Sequence, residues 1–312
     1  MTPEESIPRA VRQADLTVSS GDAALLRGLR TAAGQGRVHS VFTRVVNVLT
    51  PQDTLISLAA QDASPAPRTL TVQVADWTGR GLEAGQCVTF EPDVLTLHVP
   101  RRPLRLTVEG ALEWDPETPA LSHVPAPELA SAAARLEALN QRYGPRGGML
   151  GAAPDAGPMD SAVAKALADG RTRLMAAGRT GTPDALRAAI LSLLGLGPGL
   201  TPAGDDFLTG YALVAALPGS ALSGFAPVLK AVLAEHPDRT TDLALATLRE
   251  AADGRAHAEL LDVLRLLAER ADVRHLDAPV RKVLAIGHTS GSDTLSGLIA
   301  GLHLEEELRG SL

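Results

Sequence analysis

Cysteine is nearly absent from this 312-residue chain. Cys87 stands alone, which excludes an intramolecular disulfide and a zinc site built from several thiolates. A lone thiol without an obvious histidine partner also argues against cysteine nucleophile chemistry, and it fits a reducing, cytoplasmic setting. Lysine is almost as scarce, at three residues among 29 basic side chains, and no basic run exceeds a pair. With 36 acidic residues the net charge is −7, so the chain lacks the basic stripe that nucleic-acid phosphates require. The first 13 residues hold no basic segment followed by an apolar core, so no secretory signal is read there. Four Phe, two Trp and two Tyr leave the core mainly aliphatic. The uncharged stretch 207–229 is cut by Pro218, Gly219 and Pro227, and what is left is too short to span a hydrocarbon layer of roughly 30 Å. A buried helix is expected there, not a membrane span.

What is present divides the chain in two. Val and Thr cluster in short runs bounded by Gly, Pro and Asp over the first third, which predicts strands at 38–49, 54–60, 70–75, 86–90, 94–99 and 104–108. One helical pattern interrupts them, at 21–29, with Asp22 in its first turn. Four prolines between 116 and 127 break any regular element, and from there on apolar residues recur at helical spacing. The expected helices are 128–142, 159–177, 183–194, 203–217, 221–234, 241–251, 256–271, 278–285 and 292–309. The fold class is therefore α+β, a small β-rich sandwich or barrel-like domain (1–120) followed by a mostly α-helical domain (121–312). The Glu305-Glu306-Glu307 run is read as a solvated helix end.

The densest signal is the stretch 195–210. Gly195, Gly197, Gly199 and Gly204 precede Asp205 and Asp206, and an apolar helix follows. Glycine lets backbone N–H groups approach a ligand closely, and a helix start presents unpaired N–H groups and the positive end of its dipole. This makes a candidate anion cradle from Gly197, Gly199, Thr201, Gly204 and Asp205. The plainer reading is a tight turn with Thr201 or Asp205 as a cap. No Walker or Rossmann glycine spacing is present.

A second copy raises the functional reading. Gly204, Asp206, Leu208, Thr209 and Gly210 align without gaps on Gly291, Asp293, Leu295, Ser296 and Gly297, 87 residues later. Both copies read Gly-x-Asp-x-Leu-Ser/Thr-Gly. A glycine inside a helix costs about 0.5–1 kcal/mol relative to alanine, a cost usually offset by close packing. Two helices crossing at Gly210 and Gly297 would bring Asp206 and Asp293 together at their N-terminal ends. Such a pair could hold a hard cation, Mg²⁺ being one candidate, orient a substrate amide, or merely cap two helices of an old duplication.

His288, next to Thr289, Ser290 and Gly291 at the second loop, is the first candidate for proton transfer, against a role in bonding its own loop. His39 and Ser40, with Asn47, make a weaker polar cluster in an apolar run, read either as core satisfaction, the preferred reading, or as part of a substrate site at the domain interface. Thr240, Thr241 and Asp242 read as an ordinary helix cap.

The strings Gly195 to Leu208, Gly287 to Leu295 and Val38 to Phe42, in that arrangement over 38–302, resemble the AllH-like family. Once a domain of unknown function, the family is now described as a subunit of oxamate carbamoyltransferase. The resemblance implies a part in anaerobic allantoin and purine catabolism, where oxalurate and phosphate give oxamate and carbamoyl phosphate. It also implies other subunits, including an FdrA-like protein, and small anionic ligands. The Ser-Thr-Arg-Thr motif of the ornithine and aspartate transcarbamoylases is missing, so their fold is not expected. The resemblance does not say which subunit holds the chemistry; if this one does, His288 is expected to assist proton transfer and Asp206 and Asp293 to orient the carbamoyl NH₂ or a metal, with Thr289, Ser290, Gly291, His39 and Ser40 joining the first loop in binding. Two other classes stay open. One is a metal-dependent hydrolase similar to the ADP-ribosylglycohydrolases; the other is a non-catalytic structural subunit.

Overall fold

The computed structural model describes residues 14–310, so the reading of residues 1–13 lies outside the described residues. The chain divides into two compact units between Asp115 and Pro116. The first is a β unit and the second is helical, the α+β composition expected from sequence.

The described residues of the first unit hold nine strands: β1 (Ala14–Asp22), β2 (Gly34–Val41), β3 (Val45–Leu49), β4 (Leu55–Ala60), β5 (Thr69–Val72), β6 (Cys87–Glu91), β7 (Val94–Leu97), β8 (Leu104–Thr107) and β9 (Leu112–Trp114). Their order is β5-β4-β3-β2-β6-β7-β8-β1-β9, and β1 also pairs with β5. Eight strands thus close into a barrel-like ring, and β9 extends it along β1. The closing strand runs parallel to β8 and then β9, and antiparallel to β5, with a bulge between Val18 and Ser20. Alternating residues such as Val88 and Phe90 of β6, and Leu104 and Leu106 of β8, fill the interior. Leu26 and Leu29 of α1 (Ala23–Leu29) join this aliphatic core.

Three expectations are corrected here. The single strand 38–49 is a hairpin, because the chain reverses at residues 42–44 and the Phe42 N–H donates to Val45 O at 2.8 Å. Val, Phe, Thr and Arg at the turn carry none of the usual Gly, Pro or Asn signals. Strands β1 and β9 were not expected, since Ser, Gly and Asp dilute the one and three residues make up the other. Asp22 is the N-cap of α1, not a first-turn residue: its Oδ1 accepts from Ala24 N at 2.9 Å and its Oδ2 from Arg68 N at 2.7 Å.

The second unit contains α2 (Ala126–Tyr143), α3 (Pro158–Thr180), α4 (Pro183–Leu193), α5 (Ala203–Ala215), α6 (Phe225–Glu235), α7 (Asp242–Ala252), α8 (Ala258–Ala268), α9 (Asp277–Leu284) and α10 (Ser290–Gly310). Every residue of α5 is buried, as are residues 291–302 of α10, so these two form the centre of the unit. A helix apolar on all sides has to be enclosed by others. No helix of the described chain is long and apolar enough to cross a membrane. Glu305 overturns the reading of a solvated acidic end: it is buried and accepts from Ser220 Oγ at 2.7 Å, from the Ala221 N–H and from Arg309 Nε at 2.7 Å.

Candidate functional site

The glycine pattern is explained by backbone approach. Gly204 and Gly291 are the second residues of α5 and α10. A Cβ on Gly204 would stand 2.1 Å from Leu193 O, and one on Gly291 would stand 1.9 Å from Val283 O. Each copy is therefore a helix, a loop and a second helix whose first turn is wedged on the end of the one before it, α4 to α5 and α9 to α10. Six residues on, the helices cross: a Cβ on Gly210 would lie 1.9 Å from Thr294 O, and one on Gly297 1.9 Å from Phe207 O. Real Cβ atoms do not approach so closely, so the crossing requires glycine on both sides.

This wedge-and-cross geometry sets the acidic residues between the two glycines of each copy. Asp205 is used internally. Its Oδ1 accepts from Gly195 N at 2.8 Å and its Oδ2 from the Thr240 hydroxyl, so it ties both ends of the first glycine loop to the segment before α7. Burial pushes its carboxyl up, and these two hydrogen bonds pull it back in part.

Asp206 and Asp293 differ from it. Asp293 is fully buried; its Oδ1 accepts from Met149 N at 2.6 Å, and its Oδ2 has no partner. Asp206 is 6% exposed, and its Oδ2 is likewise buried without a partner. Burial pushes Asp206 up to about 8; the nearby Asp293 carboxylate adds to the rise, while the Ser290 and Thr201 hydroxyls oppose it. Burial pushes Asp293 up to about 6, against the Met149 N–H and the Thr289 hydroxyl. Both acids are thus held above the ordinary carboxylate range, Asp206 further than Asp293, so the two neighbouring groups are pushed apart in acidity.

A cleft of about 730 Å³ is lined by neighbours of these acids, Gly148, Thr201 and Ser290 among them, while neither carboxylate is on its surface. Gly199 and Thr201 from the first loop and His288, Thr289 and Ser290 from the second line it. The two loops touch there, with Thr201 Oγ1 2.8 Å from Ser290 Oγ. His288 is exposed on the wall. Gly197, Gly204 and Gly291 are not on the cleft surface; they serve the loop and helix packing beneath it. His39 and Ser40 belong to the β unit, where Asn47 Nδ2 donates to Ser40 Oγ at 2.9 Å and Ser57 Oγ donates to Asn47 Oδ1 at 2.7 Å. His39 Nδ1 lies 3.1 Å from the same Ser40 hydroxyl, so this polar cluster forms its own chain of hydrogen bonds.

A third glycine-rich segment, residues 144–157, escaped the sequence reading. Its short helical turn, Gly148–Leu150, sits on Asp293, and a Cβ on Gly148 would come within 2.2 Å of Asp293 Oδ1. Gly147 and Gly148 also line the cleft. Gly147, Gly148 and Gly151, all at positive φ, were the signal to follow. Thr241 was underread too. It caps α7, accepting from Ala244 N at 3.1 Å, and its hydroxyl donates to Leu200 O in the first loop.

Two family models match this chain. Residues 193–302 match the oxamate carbamoyltransferase subunit AllH, and residues 17–113 match the AllH family N-terminal domain. The chain belongs to the AllH family. The first match begins at the end of α4 and stops inside α10, so in AllH terms it contains both copies of the repeat. The segment 144–157 falls outside both matched ranges. No solved structure matches the chain.

Among the described residues no three His, Cys, Asp or Glu side chains converge as metal ligands. Asp206 and Asp293 are the residues that would hold a Mg²⁺ ion, and two carboxylates alone do not call for one.

Proposed function

We propose that this oxamate carbamoyltransferase subunit binds the small anionic substrates of that enzyme in the cleft between the two glycine loops. The reaction is transfer of a carbamoyl group between oxalurate and phosphate. A phosphate oxygen attacks the terminal carbamoyl carbon of oxalurate, and a C–O bond forms as the C–N bond to the oxamate half breaks. The proton lost by hydrogen phosphate ends on the departing amide nitrogen. The products are carbamoyl phosphate and oxamate. Phosphate, carbamoyl phosphate and oxamate are all anions suited to glycine-lined helix starts.

The observation that carries the reading is the pair of buried, unpartnered oxygens, Asp206 Oδ2 and Asp293 Oδ2, which lie beneath the cleft lining and not on it. A buried polar oxygen without a partner is costly, and a ligand carrying N–H groups removes that cost. The carbamoyl NH₂ of the substrate supplies such donors. In this reading ionised Asp293 accepts from that NH₂, protonated Asp206 donates, and the N–H groups around Gly199–Thr201 and Thr289–Gly291 hold phosphate. His288, exposed on the same wall, shuttles the proton. The subunit works in the cytoplasm with the other carbamoyltransferase subunits, an FdrA-like protein among them, in allantoin and purine catabolism.

Calorimetric titration of the purified chain with phosphate, carbamoyl phosphate and oxamate tests the binding, with Mg²⁺ as a separate arm. Asp206→Asn should abolish turnover of the reconstituted complex while the chain stays folded. Full activity in that variant overturns the assignment.

A further inference from the structure

The third glycine segment separates the cleft from a second, smaller cavity of about 240 Å³. Gly147 and Gly148 line the cleft; Met149 and Leu150, the next two residues of the same turn, line the smaller cavity. Arg146 lines both. The smaller cavity also takes Arg171 from α3, Glu137 and Asn140 from α2, and Ser296 from α10.

The charges of this cavity are unbalanced. Arg146 makes one long hydrogen bond, from Nη1 to Leu150 O at 3.5 Å, which leaves most of its guanidinium donors unused. Arg171 is half-buried and has no carboxylate or carbonyl partner among the described residues. Glu137, the one acid lining the cavity, pairs with His303 at 3.6 Å. Asn140 spends its amide on Ser292 and Ser296: Nδ2 donates to Ser292 O at 3.1 Å and to Ser296 Oγ at 2.9 Å, and Oδ1 accepts from Ser292 Oγ at 2.9 Å. Two arginines with few protein partners, the exposed Arg146 and the half-buried Arg171, thus line the cavity with one carboxylate. Arginine presents a planar fork that matches a carboxylate through two parallel hydrogen bonds.

We propose that this cavity is a second anion subsite, which holds the carboxylate end of oxamate or oxalurate on Arg171 and Arg146. The inference rests on the cleft being the substrate site. The proposed reaction brings two anions together, a phosphate and an amide-bearing carboxylate, and separate groups of donors for the two lower their mutual repulsion. Backbone N–H groups of the glycine loops suit phosphate, while the arginine-lined cavity suits a planar carboxylate. Arg146, shared by both cavities, faces either anion, and Asp293 lies under the turn that divides them.

Affinities of the full chain for oxamate and for inorganic phosphate, measured separately by calorimetry, test the assignment in Arg171→Gln, Arg146→Gln and a control, Arg173→Gln. Arg173 is exposed on the same helix and lines neither cavity. Thermal midpoints confirm that each variant is folded. Loss of a charge-assisted, bidentate contact weakens binding by ~10-fold or more. Arg171→Gln should weaken oxamate by that much and leave phosphate within about twofold, a factor worth under 0.5 kcal/mol. Arg146→Gln should weaken both ligands, and the control neither. Unchanged oxamate affinity in Arg171→Gln overturns the subsite while leaving the cleft reading intact. Loss of phosphate with oxamate retained overturns the carboxylate assignment. Failure of the unsubstituted chain to bind either anion overturns the cleft reading and the subsite with it.

Discussion

The carboxylate of Asp293 accepts a 2.6 Å hydrogen bond from the backbone N–H of Met149, a residue 144 positions earlier in the chain. A buried acid at the start of the central helix is thereby held by a loop that neither copy of the repeat contains. The contact depends on Gly148, whose φ of +51° and bare α-carbon let the turn lie flat on the carboxylate.

Gly148→Ala should therefore displace the turn. The added Cβ falls 2.2 Å from Asp293 Oδ1, and the left-handed backbone disfavours alanine by about 1–2 kcal/mol. The loss should be local, with unfolding in urea showing a modest drop in midpoint. Oxamate affinity should fall far more than that drop accounts for, because the turn walls both cavities. Equal losses in stability and affinity would argue that the turn is only packing.

The helix crossing makes a harsher prediction. Gly210→Ala and Gly297→Ala each push a methyl group to 1.9 Å from a backbone oxygen on the facing helix, and no side-chain rotation relieves that. Overpacking of a core costs about 1–3 kcal/mol when side chains yield, so these variants should sit at or above the top of that range. Gly157→Ala is the control: nothing lies within 4 Å of its added Cβ, and its φ is −67°. Because Gly157 is the N-cap of α3, where alanine is the poorer residue, chemical denaturation should show a loss of no more than about 1 kcal/mol in that variant.

How far the sequence revealed this site follows from the same contacts. The repeat was legible because backbone-to-backbone approach leaves one residue type, and Gly210 and Gly297 announce it in both copies. The division of labour between Asp205 and Asp206 was not legible. Adjacent residues of one type point to different partners, and only the fold shows Asp205 spent on Gly195 and Thr240 while Asp206 keeps an unpaired oxygen. Residues 144–157 stayed hidden because their glycines mark only a loop, while the role of that loop comes from a contact across more than half the unit. The hairpin at residues 42–44 was missed for the opposite reason, an unmarked turn inside a run of β-branched residues. Glu305 looked solvated since its partners, Ser220, Ala221 and Arg309, include two brought in from the α5–α6 connection.

The loop brace at Asp205 gives a prediction that separates support from chemistry. Asp205→Ala leaves the half-buried Gly195 N–H and Thr240 hydroxyl without their acceptor, which costs about 1 kcal/mol for each lost hydrogen bond. Asp205→Asn keeps an acceptor for one of them and should lose less. Both should weaken phosphate binding in proportion to the loosening of the first loop, visible as faster amide exchange over residues 195–204.

The pH dependence of stability tests Asp206 directly. Its carboxyl rises from the ordinary 3.8 to about 8 in the folded chain, mainly through burial. The folded state therefore binds the proton more tightly than the unfolded one. Its contribution to stability is fully present below about pH 4 and is lost as pH climbs through 8, with a slope of up to about 1.4 kcal/mol per pH unit from a single group. Asp293, raised to about 6, adds to the loss over the lower part of the same window. Asp206→Asn removes the titration and keeps the shape, so its denaturation midpoint should fall less between pH 5 and pH 8 and should exceed the parent's at pH 8. The same substitution is expected to abolish turnover. A variant more stable at pH 8 yet inactive is what a functional buried acid predicts, since strain held for chemistry is released when the chemistry is removed. A parent whose midpoint stays flat across that range would mean that Asp206 is ionised throughout, and that its unpartnered oxygen is satisfied in solution by something other than its own proton.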